Sequence, residues 1–277
     1  MKIIEQFIKG KLNNPDLCED AICVTDDFIA VIDGVSSQSD FRFENKKLGK
    51  IISDILVEAI PKLDSSMDCY QVIDFLNEYI INYYKDKGFY DKIAKDPADQ
   101  PSASVIMYSK KYRQIWLIGD CKALYGDELL TNELELDKLY RQIRVMVLKY
   151  LLETGYTEEE LLENDLSKKF IQNLSKRQPY LRNKRFYGKY DYAVIDGFNR
   201  PDKDLIKIID VPKEVTKIVF TSDGYRKPFD TLEEAEQDLQ KMKQEDPLCY
   251  KSFPHERGFN AKYEGYDDRS YISFEIW

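Results

Sequence analysis

The sequence has no run of about 18 apolar residues, the minimum for a membrane-spanning helix. Its start, Met1-Lys2-Ile3-Ile4-Glu5-Gln6-Phe7, is broken by acidic and polar residues and has no hydrophobic leader region. It reads instead as the first core strand. There is a single histidine, His255, isolated from any acidic or serine motif, and no nucleophile elbow. A Ser-His-Asp triad therefore has no support, and His255 reads as a surface or hydrogen-bonded histidine. The five cysteines (18, 23, 69, 121 and 249) are an odd count with no C-x-x-C spacing. That fits a reducing cytoplasm and argues against zinc. The chain also lacks internal repeats, low-complexity tracts and Gly/Ser linkers.

What is present is charge. Charged residues make up 33% of the 277 positions, and mean hydropathy is -0.53, as expected of a soluble protein. The length allows one sizeable core or two small domains. A net charge of -9 repels nucleic-acid phosphates unless a basic patch overrides it. The richest basic stretch runs from Lys168-Lys169 through Arg177, Arg182 and Lys184-Arg185 to Lys189, and reads as a solvated helix face and loop. No nucleic-acid partner and no membrane partner are expected.

Two islands share the form strand–Asp–Gly: Phe28-Ile29-Ala30-Val31-Ile32-Asp33-Gly34 and Ile218-Val219-Phe220-Thr221-Ser222-Asp223-Gly224. Each apolar, β-branched run reads as a buried strand that ends in a carboxylate. An ordinary Asp-Gly turn accounts for either island alone. Desolvating an unpaired carboxylate is costly, however, and a hard divalent cation is one partner that offsets the cost. Further carboxylates lie at strand edges. Glu19-Asp20 opens the strand Ala21-Ile22-Cys23-Val24, and a hairpin through Thr25-Asp26-Asp27 would bring Glu19 near Asp33. Asp120 follows Ile115–Gly119, and Asp267-Asp268 precedes the alternating strand Ser270–Ile276. Four such clusters suggest one shared site.

Periodicity predicts helices over 46–60 and 68–86, a loop over 87–101, and strands at 102–108, 114–118 and about 122–126. From Glu135 to about Leu174 the pattern turns helical. Gly155 is placed as a C-cap, and Thr157-Glu158-Glu159-Glu160 as a capping box. Strands resume at 192–195, 207–209 and 217–221. A helix follows from Thr231 to about Gln244, then a final strand. Strands and helices come in batches, which favours α+β.

The ordered motifs resemble the metal-dependent Ser/Thr phosphatases of the protein phosphatase 2C (PPM) family, as a divergent bacterial-type member. They read Cys18-Glu19-Asp20-Ala21, Ala30-Val31-Ile32-Asp33-Gly34, Pro101-Ser102-Ala103-Ser104-Val105, Ile118-Gly119-Asp120-Cys121-Lys122-Ala123, Phe220-Thr221-Ser222-Asp223-Gly224 and Asp267-Asp268-Arg269-Ser270. The resemblance implies a four-layer α-β-β-α sandwich of two antiparallel sheets, as one domain over 1–277 with a helical flap at about 135–190. It implies a phosphomonoesterase acting on phosphoserine or phosphothreonine in a protein, or on a small phosphoester, in bacterial signalling alongside a partner kinase. Two Mg2+ or Mn2+ ions would activate a water for in-line attack. Asp33 would bridge them, with the Gly34 carbonyl as a further ligand. Glu19 would serve one ion, and Asp223 and Asp267 the other. Asp20 would orient water from outside the ligand set, and a third, weaker ion would lie between Asp120 and Asp223.

Three positions depart from the family pattern. Pro15 stands where members commonly carry a phosphate-gripping Arg, leaving Lys9, Lys11, Arg42 or the basic flap to replace it. Val35 stands where eukaryotic-type members have a His, and Lys227 where many have an Asp. These departures support an alternative reading, a weakly active or inactive phosphatase-like regulatory module.

Overall fold

The computed structural model describes residues 1–12, 14–37, 39–261 and 263–277. In chain order its elements are β1 (Lys2–Lys9), β2 (Asp20–Val24), β3 (Phe28–Gly34), α1 (Leu48–Ala59), α2 (Cys69–Asp86), α3 (Tyr90–Ile93), β4 (Ala103–Ser109), β5 (Gln114–Ile118), β6 (Lys122–Tyr125), β7 (Glu128–Leu130), α4 (Glu135–Glu153), α5 (Glu158–Glu163), α6 (Lys168–Ser175), β8 (Lys207–Asp210), β9 (Lys217–Thr221), α7 (Leu232–Glu245) and β10 (Arg269–Glu275). Two five-stranded antiparallel sheets form, ordered β1-β10-β9-β6-β7 and β2-β3-β4-β5-β8.

Strand β3 explains the layering. Side chains alternate faces along a strand. Phe28, Ala30 and Ile32 pack with Ile51, Ile52 and Ile55 of α1 and Val72 and Leu76 of α2. Ile29 and Val31 point the other way and meet Ile218, Phe220, Ile272 and Phe274 of the second sheet. Both faces are covered, so the strand reads as an unbroken apolar run. On the far side of the second sheet, Val219 and Tyr271 pack against Ala235 of α7. The result is the expected order of helix, sheet, sheet, helix.

Helix α2 starts at the capping box of Asp68 and Gln71, and α5 at that of Thr157 and Glu160. Gly155, just past the end of α4, has φ +105°, the left-handed conformation of a helix C-terminal glycine. Four expectations need correction. The stretch 87–101 is not all loop but carries the short helix α3. β1 is an edge strand with no buried residue, not a core strand. Residues 192–195 form only isolated bridges, Arg182 to Tyr192 and Ala103 to Ile195; their burial, not ladder pairing, is what the apolar run reflects. The short strand β7 was not anticipated. No helix is long and apolar enough to cross a membrane among the described residues.

Candidate metal centre

The register of β2 and β3 sets Asp20 directly opposite Asp33, and that of β3 and β4 sets Asp33 opposite Ser104. Directly opposed residues share a sheet face. Asp33 therefore continues the row of Ile29 and Val31 and points between the sheets. The Ser104 hydroxyl accepts the amides of Asp120 (2.8 Å) and Cys121 (3.1 Å), which fixes Asp120 beside this pair. From the other sheet, Asp223 follows β9 and its amide donates to Asp33 Oδ2 across 3.4 Å. Lys122 and Tyr266 hold the Asp223 carbonyl from two sides, at 3.5 and 3.3 Å. Asp20, Asp33, Asp120 and Asp223 all line one cleft of about 1080 Å³.

The two Asp-Gly glycines are there for close approach. A Cβ on Gly34 would stand 2.1 Å from the Gly49 carbonyl oxygen of α1, and one on Gly224 2.0 Å from the Asp268 carbonyl oxygen. Neither has a positive φ, so close packing rather than a left-handed backbone calls for glycine here; Gly34 still lies in β3, whereas Asp223-Gly224 forms a turn. They let helix and strands close around the carboxylates.

Electrostatics marks this group as strained. Burial, then the Asp268 and Asp223 charges, push Asp20 up to about 7. Burial and Asp223 raise Asp120 to about 6. Asp33 lies well above the carboxylate range through burial and the charges of Asp223, Asp20 and Asp120. Burial also works against Asp223, but Arg257 and Lys122 outweigh it and hold that group low. Among the described residues, Asp20 Oδ2 is buried with no hydrogen-bond partner.

Glu19 and Asp267 are placed differently. The Glu19 backbone sits opposite Gly34, whose amide donates to its carbonyl at 3.1 Å. The one-residue offset from Asp20 turns its side chain to the other face, against Gly49. There Glu19 Oε2 accepts the Ser36 hydroxyl and Oε1 has no hydrogen-bond partner among the described residues. Lys11 Nζ lies 2.8 Å from Asp267 Oδ1 and 3.7 Å from Glu19 Oε2, and also donates to Ser36 Oγ at 3.0 Å. Arg257 pairs with Asp267 Oδ2. Asp268 joins strand to strand by accepting the amides of Lys11 (2.7 Å) and Glu19 (2.9 Å). The Gly34 carbonyl oxygen faces Gly49. The six expected metal residues are thus divided. Asp33, Gly34, Asp120, Asp223 and Asp267 line the cleft with Asp20, Asp267 being already paired with Lys11 and Arg257, while Glu19 is turned away from it. Among the described residues, no group of three or more acidic, Cys or His side chains is arranged to enclose an ion.

Of the cations considered for gripping phosphate, Lys9 pairs with Glu264 and Arg42 bonds its own backbone neighbours. Lys11 lines the cleft, as do Lys168, Lys169, Lys176, Arg177 and Arg182 from 135–190. Arg185 pairs with Asp204 and Lys189 with Glu135. The stretch around Pro15 contains Asn13, which lies outside the described residues. His255 is satisfied, accepting the Arg257 amide at Nδ1 (3.2 Å) and lying 4.6 Å from the Tyr266 ring. Sequence reasoning missed Asp137 and Arg257. Asp137 faces the cleft from α4, and burial and the neighbouring Glu256 raise its pKa well above the usual range. Arg257 offered only its nearness in sequence to Asp267 as a signal.

No family model matches the chain, and no curated protein matches it. Among solved structures it is similar to the serine/threonine phosphatase PstP/Ppp of Mycobacterium tuberculosis (13% identity over 100% of this chain and 99% of that chain, TM-score 0.48). It is similar to the PPM Ser-Thr phosphatase MsPP of Mycobacterium smegmatis (9% identity, 100% of each chain, TM-score 0.48). It is also similar to the serine/threonine phosphatase Stp1 of Staphylococcus aureus (12% identity, 99% of this chain and 94% of that chain, TM-score 0.46).

Proposed function

We propose that the chain is a metal-dependent phosphomonoester hydrolase acting on phosphoserine or phosphothreonine in proteins. The observation that carries this reading is the gathering of Asp20, Asp33, Asp120 and Asp223 at the adjoining ends of two sheets, raised in pKa by burial and mutual repulsion except where Arg257 and Lys122 intervene. A divalent cation relieves that repulsion. The donor set is all oxygen and suits Mg2+ or Mn2+.

Bound there, two such ions would supply a water of lowered pKa and a positive field over the phosphoryl oxygens. Asp33, central in the cluster, is the residue to hold both, with Asp120 and Asp223 beside it. Asp20, opposite Asp33, accepts a proton or orients water. Glu19 and Asp267 enter the set only by exchanging Lys11 and Arg257 for the ion. In this reading residues 1–277 form one catalytic unit and 135–190 its flap. A cleft of about 1080 Å³ admits a peptide segment as well as a small phosphoester.

A second reading, a regulatory module with little turnover, is favoured by one observation: Lys11 and Arg257 already neutralise Asp267. Mn2+- or Mg2+-dependent release of phosphate from a generic aryl phosphate separates the two. Turnover that disappears in Asp33→Asn supports the hydrolase. Absence of turnover with either metal favours the module.

A further inference from the structure

Three cations, Lys11, Lys168 and Arg257, line the same cleft as the carboxylates, and they come from three distant parts of the chain. Their commitments differ. Lys11 Nζ is engaged by Asp267 and Ser36, with Glu19 and Asp268 close by. Arg257 uses Nη1 on Asp267 and its side chain remains 37% exposed. Lys168 makes no ion pair among the described residues. Asp165, the acid whose charge acts on it, is already engaged: Oδ2 accepts Arg144 Nε (3.1 Å) and Nη2 (2.8 Å), and Oδ1 accepts the Ser167 amide (3.1 Å) and hydroxyl.

One buried guanidinium fixes the spacing of Lys168 and Arg257. Besides gripping Asp165 just before α6, Arg144 Nη1 donates to the carbonyls of Leu248 (2.7 Å), Cys249 (3.4 Å) and His255 (3.2 Å). It therefore ties the start of α6 to the segment that presents Arg257. Gly258 packs against it so closely that a Cβ would stand 2.4 Å from Nη2. Lys168, which makes no ion pair among the described residues, and Arg257 thus line one cleft on two segments that Arg144 holds together, an arrangement preorganised for an anion.

We infer that Lys168 and Arg257 form an anion clamp in which α6 and the segment 246–261 grip the phosphoryl oxygens of a phosphomonoester dianion. The inference rests on the hydrolase reading for its ligand, while its geometry is independent of it. The bland alternative is that Lys168 is only a solvated lysine on a helix. The two differ in what inorganic phosphate does.

Calorimetric titration of inorganic phosphate into the Mn2+-saturated full chain tests the clamp without any need for turnover. Lys168→Ala is expected to weaken phosphate roughly tenfold, the scale of one charge-assisted contact. Lys168→Arg is expected to restore most of that, and Lys184→Ala, outside the cleft, to change nothing. Lys168 is exposed on α6, so the alanine variant keeps its fold, and an unchanged melting temperature checks this. Phosphate affinity that is absent in the native chain, or equal in native and Lys168→Ala proteins, overturns the clamp. Aryl-phosphate turnover with Lys168-independent phosphate binding sinks the clamp and leaves the hydrolase standing. Lys168-dependent binding without turnover does the reverse.

Discussion

The amide of Asp223 donates to Asp33 Oδ2, so one 3.4 Å contact joins the end of β9 in one sheet to the end of β3 in the other. The sheets meet at a point where carboxylates are concentrated, and Asp33 is the residue they share.

That concentration has a pH signature. Asp20 lies near 7 and Asp120 near 6 in the fold, both above the 3.8 of an unperturbed carboxyl. Between these values the folded chain binds more protons than the unfolded chain, so stability is lost as pH rises. The low pKa of Asp223 acts below this window, in the opposite sense. In chelator, thermal or urea melts are expected to show the protein on the order of 1–3 kcal/mol less stable at pH 8 than at pH 5.5. A gain in stability over that range would contradict the electrostatics of the cluster.

Asp33→Asn keeps an oxygen for the Asp223 amide and removes a charge from the crowd. It is expected to abolish metal-dependent turnover. It should leave the metal-free protein folded at pH 8, with a melting temperature unchanged or about 2–4 °C higher. Retained turnover removes Asp33 from the centre.

Arg144 is fully buried and its partner Asp165 nearly so. Arg144→Met strands Asp165 and the carbonyls of Leu248, Cys249 and His255. Loss of one partner of a buried pair costs about 3–5 kcal/mol. Melting temperature and faster proteolysis within 246–268 are the readouts. A near-neutral variant would show that the flap and this segment are not tied through Arg144.

Lys176 and Arg177 line the cleft, whereas Lys184 and Arg185 do not. Charge reversal of the first pair is expected to raise KM for phosphopeptides with acidic flanks by about fivefold, with little change in kcat. Reversal of the second pair is expected to change neither. The opposite pattern would move the substrate path to the other side of the flap.

The β3 run was legible in the sequence because both its faces are buried, and the capping boxes at Thr157 and Thr231 because their hydrogen bonds are local. The gathering of Asp33, Asp120 and Asp223 was visible only as an ordered set of strand-end carboxylates. The direction of Glu19 was not: a one-residue offset from Asp20 reverses its face, and only the register of β2 on β3 decides that. The basic stretch of 168–189 divides into cleft-facing and outward-facing cations according to how α6 packs on α4, which charge alone does not encode. Asp137 and Arg257 sit in segments with no motif, and long-range packing through Arg144 brings Arg257 to the cleft.

The central claim is that the carboxylates around Asp33 hold divalent ions. Titration of Mn2+ into the metal-free protein, followed by electron paramagnetic resonance of the free ion, tests it most directly. Mn2+ is expected to be taken up by the native chain, lost in Asp33→Asn, and largely kept in Asp267→Asn, because Lys11 and Arg257 already neutralise Asp267. No uptake by the native chain, or equal uptake by Asp33→Asn, would contradict it.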